Sequence, residues 1–292
     1  MHSWVFTSEL PASQSQGHSV FNPDQSSTWT PMQGGSWKIA YGDGSGASGS
    51  VGYDQVTIGG VTAAKQAVEL ATSVSGSFIQ DTNNDGLVGL AFGTINTIEP
   101  RAQATFFENV MQQLDQPVFT ARLRHNAPGT YTFGTIDKSE YTGDIHYTPI
   151  NTEHGFWQFE SPTYSIGGQT RQCTTCSAAI ADTGTSLMLL DADIVKAYYA
   201  QVDGATNSPF QGGYTYPCDT TLPDLGVAVG TGYTATIKGA DLTYAEIGRG
   251  KCFGGLQSNA GQGIQILGDV FLKQFLAVFD GGNNQFGIAA GA

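Results

Sequence analysis

The chain has 292 residues, of which 40% are hydrophobic and 13% charged, and 12 basic against 25 acidic residues give a net charge of −13. This apolar content is enough for a large core and excludes an intrinsically disordered chain. Because the net charge would repel phosphate backbones and anionic lipids, neither nucleic acid nor a membrane surface is an expected partner.

The predicted elements, in chain order, are mostly strands. Glycine is abundant, with 39 residues and no collagen-like period, which is typical of tight turns between short strands. Strands are predicted from alternating or short apolar runs at residues 36–41, 53–58, 129–133, 156–159, 233–237 and 276–279. Helical periodicity is confined to residues 104–114, 191–202 and 270–275, with Asp191 or Asp193 as the expected cap of the second helix. The pattern predicts an all-β fold with a few short helices.

The length favours two lobes over one. The polar stretch from Tyr147 to Gly155 is the best boundary, which divides the chain into an N-terminal lobe of residues 1–148 and a C-terminal lobe of residues 149–292. An internal echo supports two related halves, because L-V-G at residues 87–89 and I-L-G at residues 266–268 each place two apolar residues before a glycine. No run of about 18 apolar residues occurs, so no membrane span is expected.

The four cysteines form a close pair, Cys173 and Cys176, and a distant pair, Cys218 and Cys252. Their even number suits a secreted protein with two disulfides, although a cytosolic chain could hold them as thiols. Of the three possible pairings, we favour Cys173 with Cys176 and Cys218 with Cys252. A zinc site at Cys173-x-x-Cys176 is the alternative, but no second ligand pair accompanies it, so no metal is expected.

The segment most informative about chemistry is A-I-A-D-T-G-T-S-L-M-L-L at residues 179–190. It places Asp182 between two apolar runs. Gly184 permits a sharp turn there, and nearby hydroxyl and N–H groups can hydrogen-bond the carboxylate. For a D-T-G sequence taken alone, a turn or helix-capping aspartate is the alternative interpretation.

Several motifs in the right order resemble the pepsin-like aspartic proteases, closest to the secreted fungal enzymes of the penicillopepsin and aspergillopepsin type. D-T-G-T-S at residues 182–186 resembles the second catalytic loop, and Y-G-D-G-S at residues 41–45 resembles the tip of the flap that closes over bound peptide. F-N-P followed by S-S-T at residues 21–28 and the two glycine-ended motifs at residues 87–89 and 266–268 also resemble family elements. The resemblance covers essentially the whole chain and implies a bilobal fold of two β-barrels or sandwiches.

The resemblance also implies roles for individual residues. Asp182 would be catalytic, Tyr41 would cover the substrate, and Trp4 would hydrogen-bond Tyr41. The other implied substrate-binding residues are Gly42, Asp43, Phe156, Gly184, Thr185 and Ser186. An acidic residue at the place of Asp43 is associated in fungal relatives with accepting lysine before the scissile bond. The alternatives are a strand tyrosine packed on Trp37 for Tyr41 and a hairpin-turn aspartate for Asp43.

The chain departs from the family pattern at its start. Family members carry two D-T-G loops, the first reading roughly D-T-G-S-S-x-x-W-V, and this chain enters that pattern only at Trp4 and Val5. The first catalytic aspartate is therefore expected before Met1, with the N-terminal lobe lacking its first strand region. We expect the 292-residue chain to be inactive or strongly impaired. In a family of monomers, the unpaired sheet edge would offer a route to dimerisation or domain swapping.

The leading hypothesis is an aspartic endopeptidase that hydrolyses proteins at acidic pH without a cofactor, secreted or vacuolar, with protein or peptide substrates and pepstatin-like inhibitors as partners. A non-catalytic peptide-binding protein of the same fold is the alternative, but the unaltered D-T-G-T-S sequence favours catalysis. A glycine-rich β lectin would explain the composition but not the motifs. The polar-turn histidines are expected to be solvated: His18, His125, His146 and His154.

Overall fold

The computed structural model describes residues 1–173 and 178–292, and strands dominate it. The chain divides into two compact units, one of residues 1–117 and 152–156, the other of residues 118–151 and 157–292. The predicted all-β class with a few short helices is confirmed. The predicted lobe boundary between residues 148 and 149 falls in the second unit, because the strand that contains these residues pairs with a strand near the end of the chain.

The first unit is built on one mixed sheet. Its strands are β1 (Ser3–Phe6), β2 (Thr30–Ala40), β3 (Gly46–Ile58), β4 (Val61–Val74) and β5 (Gly86–Val88), and its short helices are α1 (Ala12–Ser15), α2 (Gly76–Gln80) and α3 (Phe106–Val110). The sheet order is β2-β3-β4-β1-β5. Trp4, Phe6 and Trp37 lie in the core of this unit, and burial of their large apolar side chains stabilises it.

The second unit contains the remaining elements. Its strands are β6 (Val118–Arg122), β7 (Thr130–Phe133), β8 (Tyr141–Pro149), β9 (Gln158–Glu160), β10 (Thr163–Ile166), β11 (Gln169–Gln172), β12 (Ala178–Ala181), β13 (Met188–Leu190), β14 (Thr206–Ser208), β15 (Gly213–Pro217), β16 (Leu225–Val229), β17 (Tyr233–Ile237), β18 (Thr243–Gly248), β19 (Lys251–Gly254), β20 (Leu256–Ser258), β21 (Gln265–Leu267), β22 (Phe275–Asp280) and β23 (Gln285–Gly291), and its helices are α4 (Ala192–Tyr199) and α5 (Asp269–Leu272). Cys218 and Cys252 form a disulfide, the pairing that the resemblance implied. Cys173 is disulfide-bonded, but Cys176, and with it the predicted Cys173–Cys176 bridge, lies outside the described residues.

The sheets that carry the predicted motifs have the same pairing pattern in both units. In the first, β1 pairs in parallel with β4 and antiparallel with β5; in the second, β13 pairs in parallel with β20 and antiparallel with β21. Ser3 pairs with Val88 in the first unit, and Met188 pairs with Leu267 in the second. The similar motifs at residues 87–89 and 266–268 therefore belong to a repeated strand topology. The register equates Met188, six residues after Asp182, with Ser3.

The predicted helices are shorter than their sequence patterns. The 104–114 pattern forms α3 followed by a 3-10 turn at Met111–Gln113, and a capping box at Thr105 and Glu108 begins it. The expected cap at Asp191 is only positional: no side-chain capping bond forms, and the carboxylate accepts a hydrogen bond from the Asn259 side chain. The Asp191 carboxylate, which the sequence predicts as the cap of α4, is therefore hydrogen-bonded to the side-chain amide of Asn259, 68 residues away.

Candidate active site

The D-T-G-T-S loop follows the buried strand β12 and fixes both oxygens of the Asp182 carboxylate. The backbone N–H of Gly184 donates to Oδ1 at 2.9 Å, and the Thr185 hydroxyl donates to Oδ2 at 2.8 Å. The Asp182 N–H donates to the carbonyl of Leu267 on β21 at 3.2 Å, which ties the start of the loop to the sheet. The carboxylate is thus half-buried and oriented by donors on its own loop.

The loop is held by close backbone packing against Gly268 and the start of α5, which directly follow β21. The Thr185 carbonyl accepts from the Asp269 N–H at 2.8 Å, and the Ser186 carbonyl accepts from the Val270 N–H at 3.0 Å. A Cβ at Gly268 would collide with the carbonyl oxygens of Thr185 and Leu187, so the glycine of the I-L-G motif is required by this approach. The I-L-G motif therefore marks the point where the end of β21 supports the loop.

Two residues beside the loop were not identified by sequence reasoning. Asp269 is half-buried, its Oδ1 has no hydrogen-bond partner among the described residues, and its pKa is raised to about 6 by burial, with the nearby Asp182 charge adding to the shift. The Tyr131 hydroxyl is hydrogen-bonded to Thr183, and burial raises its pKa. Both lie far from Asp182 in sequence, so only the fold brings them together.

The predicted flap is the hairpin of β2 and β3 in the first unit. The Trp4 indole N–H donates to the Tyr41 hydroxyl at 2.8 Å, as the resemblance implied. The Tyr41 ring contacts Phe78 edge-on at 5.8 Å between centroids, and Phe78 lies 5.0 Å from Trp4. Burial raises the pKa of Tyr41. Phe78, on α2, is thus a further support of this tyrosine that sequence reasoning missed.

The flap tip is a tight turn closed by Asp43. Its Oδ1 accepts from the Ser45 backbone N–H at 2.8 Å and from the Ser45 hydroxyl at 2.6 Å. These bonds, the hydroxyl first, hold the pKa of Asp43 below its usual value. Gly42 has open space around it. The aspartate therefore shapes the turn and remains an exposed carboxylate.

The remaining predicted substrate-binding residues differ in exposure. Ser186 is exposed, while Phe156 is half-buried in the segment 152–156 of the first unit. Phe271, on α5 close to the loop, is fully buried.

Comparison with known proteins decides the family. The chain matches the family model of eukaryotic aspartyl proteases over residues 2–291. The chain belongs to this family. It is 50% identical over 287 residues to Penicillopepsin-1 of Penicillium janthinellum, covering 98% of this chain and 87% of that protein. It is also 50% identical over 291 residues to Aspergillopepsin-1 of Aspergillus flavus, covering 99% of this chain and 71% of that protein.

Membership of the aspartyl protease family makes the chain an aspartic endopeptidase by descent and agrees with the fungal resemblance. Within residues 1–173 and 178–292, no three His, Cys, Asp or Glu side chains are grouped to hold a metal ion. In the same ranges, no helix is long and apolar enough to cross a membrane.

Proposed function

We propose that the protein is an acid endopeptidase in which Asp182 is one of two catalytic carboxylates. The observation that carries the proposal is the fixed geometry of this carboxylate, with one oxygen bound by the Gly184 N–H and the other by the Thr185 hydroxyl. A carboxylate oriented by its own loop, at the end of a buried strand, is suited to hold and deprotonate a water molecule.

The chemistry of two neighbouring carboxyls explains why a pair is required. Two such groups cannot both ionise, so they share one proton and titrate as a unit. The ionised partner deprotonates the water, and the protonated partner polarises the scissile carbonyl. No covalent intermediate and no cofactor is needed for this reaction.

We propose that residues 1–292 supply one of these two carboxylates, that of Asp182. The strand pairing that equates Met188 with Ser3 supports this proposal, because six residues before Ser3, the place equivalent to Asp182, would lie ahead of Met1. We propose that a polypeptide consisting of these residues alone is inactive or strongly impaired. General acid–base assistance is worth about 10² to 10⁴ in rate per group.

For substrate binding, we propose that Tyr41, Gly42 and Asp43 bind an extended peptide by strand addition, with Trp4 holding the Tyr41 hydroxyl. Gly184, Thr185 and Ser186 would contact peptide around Asp182, and Phe156 would contact its primed side. The exposed Asp43 carboxylate suits a basic side chain before the scissile bond. An Asp43→Ser variant of an active form should lose cleavage after lysine and keep cleavage after phenylalanine; unchanged cleavage after lysine would refute this role.

The test of the catalytic proposal compares chains whose N-terminus is extended by a D-T-G-S-S segment that replaces Met1, so that the two residues His2 and Ser3 separate it from Trp4. Denatured haemoglobin is the substrate at about pH 3 to 5, around the ordinary carboxyl titration range. Asp182→Asn should abolish turnover of the extended chain. Asp137→Asn is the matched control, since Asp137 Oδ1 also accepts from an N–H and a hydroxyl two residues on, but at an exposed turn. Equal loss in both variants would overturn the role of Asp182.

A non-catalytic peptide-binding protein of the same fold is the second candidate, because we propose only one catalytic carboxylate, that of Asp182, within residues 1–292. It predicts that the 292-residue chain binds peptides or a pepstatin-like inhibitor by calorimetry and that the extended chain does not hydrolyse them. The endopeptidase proposal predicts hydrolysis by the extended chain. We also propose a secreted or vacuolar location and a monomer, with pairing through an open sheet edge of the N-terminal lobe as the route to a dimer.

A further inference from the structure

The His18 side chain is buried in the first unit. Sequence reasoning predicted a solvated histidine in a polar turn, and that prediction is wrong: the imidazole has no exposed surface. It stacks on the Phe6 ring of β1, with centroids 3.9 Å apart and planes 10° from parallel. A titratable group enclosed in this way must be satisfied by protein partners.

Both ring nitrogens of His18 face main-chain carbonyl oxygens. Nδ1 lies 2.9 Å from the Asn84 oxygen, and Nε2 lies 3.2 Å from the Ile79 oxygen. A carbonyl oxygen only accepts hydrogen bonds, so making both bonds requires a proton on each nitrogen. An imidazole with two protons is the cation. The hydrogen-bond geometry therefore selects the protonated ring.

The charged groups around the ring suit a cation. The Asp85 carboxylate lies 3.4 Å from Nδ1, and its position is set by the Ser19 N–H, which donates to it. Asp81 also interacts with the His18 charge; its pKa is lowered, first by the Asn83 N–H and least by His18. Both aspartates belong to the turn after α2. Of the other groups in contact with the ring, Phe6 presents an uncharged aromatic ring and Ile79 a carbonyl oxygen.

The two carbonyls bound by His18 bracket a segment next to the flap. Ile79 is in α2 and Asn84 is in the turn that leads to β5, so the imidazole ties the helix to the turn. Phe78, adjacent to Ile79, is the aromatic support of Tyr41 and Trp4. The protonated ring thereby helps to fix the residue behind the flap tyrosine.

We infer that His18 is a pH-sensitive clamp that fixes the segment 76–85, and through Phe78 the flap tyrosine, in the protonated state. Neutral imidazole can donate from only one nitrogen, so one carbonyl loses its partner and the segment opens more readily. The clamp holds while the ring carries a proton on both nitrogens and is lost when the ring is neutral. Only its consequence for peptide binding rests on the proposed function, because the clamp itself needs no catalysis.

The first test reads the protonation state directly. Long-range proton–nitrogen NMR of the 292-residue chain, with nitrogen-labelled histidine, separates the cation from the two neutral tautomers. His18 should be the cation at about pH 5, with both nitrogens bonded to hydrogen. A neutral His18 at that pH would overturn the inference. This measurement needs no variant and no activity, so its failure is distinct from failure of the proposed function.

The second test reads the opening of the segment. Amide hydrogen exchange of residues 76–85, corrected for the intrinsic rate, should lose about tenfold in protection between about pH 5 and 7.5, the worth of one hydrogen bond. His18→Gln should abolish this pH dependence. His154→Gln, at an exposed histidine of the same unit, should keep it. Equal pH dependence in wild type and His18→Gln would contradict the clamp.

Discussion

The flap hairpin depends on a glycine at its base, and Gly46→Ala is the perturbation that tests this. Gly46 pairs with Ala40 where β2 and β3 meet the turn. A Cβ at residue 46 would lie 2.6 Å from the Ile39 carbonyl oxygen, whereas real Cβ contacts essentially never fall below 3.0 Å. The obstacle is main chain, so the side chain cannot rotate away and the strands must separate.

The size of the effect follows from this distance. Moving from 2.6 Å to 3.4 Å, where ordinary contact begins, requires a shift of 3.4 − 2.6 = 0.8 Å in the ladder. Overpacking of this kind costs about 1 to 3 kcal/mol. Gly42→Ala is the matched control, since a Cβ there meets nothing within 4 Å and the backbone is not in the left-handed region.

The assay is urea unfolding followed by tryptophan fluorescence, which reports on the buried Trp4 and Trp37 of the first unit. Gly46→Ala should lower the free energy of unfolding by about 1 to 3 kcal/mol. Gly42→Ala should leave it unchanged or raise it by a few tenths. Equal stability of Gly46→Ala and wild type would refute the close approach at the base of the flap.

Three further predictions concern stability. Burial raises the folded-state pKa of Asp269 to about 6, so the folded chain binds more protons than the unfolded chain between about pH 4 and 6, and its stability falls as the pH rises. Asp269→Asn should make the melting temperature depend less on pH in this range, and an unchanged pH dependence would contradict the raised pKa. Replacing Cys218 and Cys252 by serine should cost about 2 to 4 kcal/mol by urea unfolding under non-reducing conditions, whereas an unchanged midpoint would show that the bridge adds nothing. Thr105→Ala should cost about 0.5 to 2 kcal/mol by removing the cap of α3, with Thr57→Ala at an exposed strand position as the control, and equal effects would count against the cap.

Local patterns predicted the elements whose causes are local. The strand at residues 233–237 has the predicted bounds because its alternation and flanking turns are contained in the segment itself. The turn at Asp182 was also foreseeable, since the donors to its carboxylate, Gly184 and Thr185, lie within three residues. In both cases the sequence window contains the alternation or the donors on which the prediction rests.

Features that depend on distant partners were not foreseeable. His18 looked solvated because its neighbours in sequence are polar, but its carbonyl partners are 61 and 66 residues away. The charge of Asp269 interacts with Asp182 only after β21 and β12 pair in parallel. Which polar groups become buried is decided by tertiary packing, and no local pattern records it.

The most direct test of the account is the initial rate of haemoglobin hydrolysis at about pH 4 by the 292-residue chain, with and without an N-terminal D-T-G-S-S extension that replaces Met1. The account predicts that the extended chain turns over substrate and that the unextended chain falls below it by a factor of at least about 10². Equal rates that both vanish on Asp182→Asn would contradict the requirement for a second carboxylate in this position.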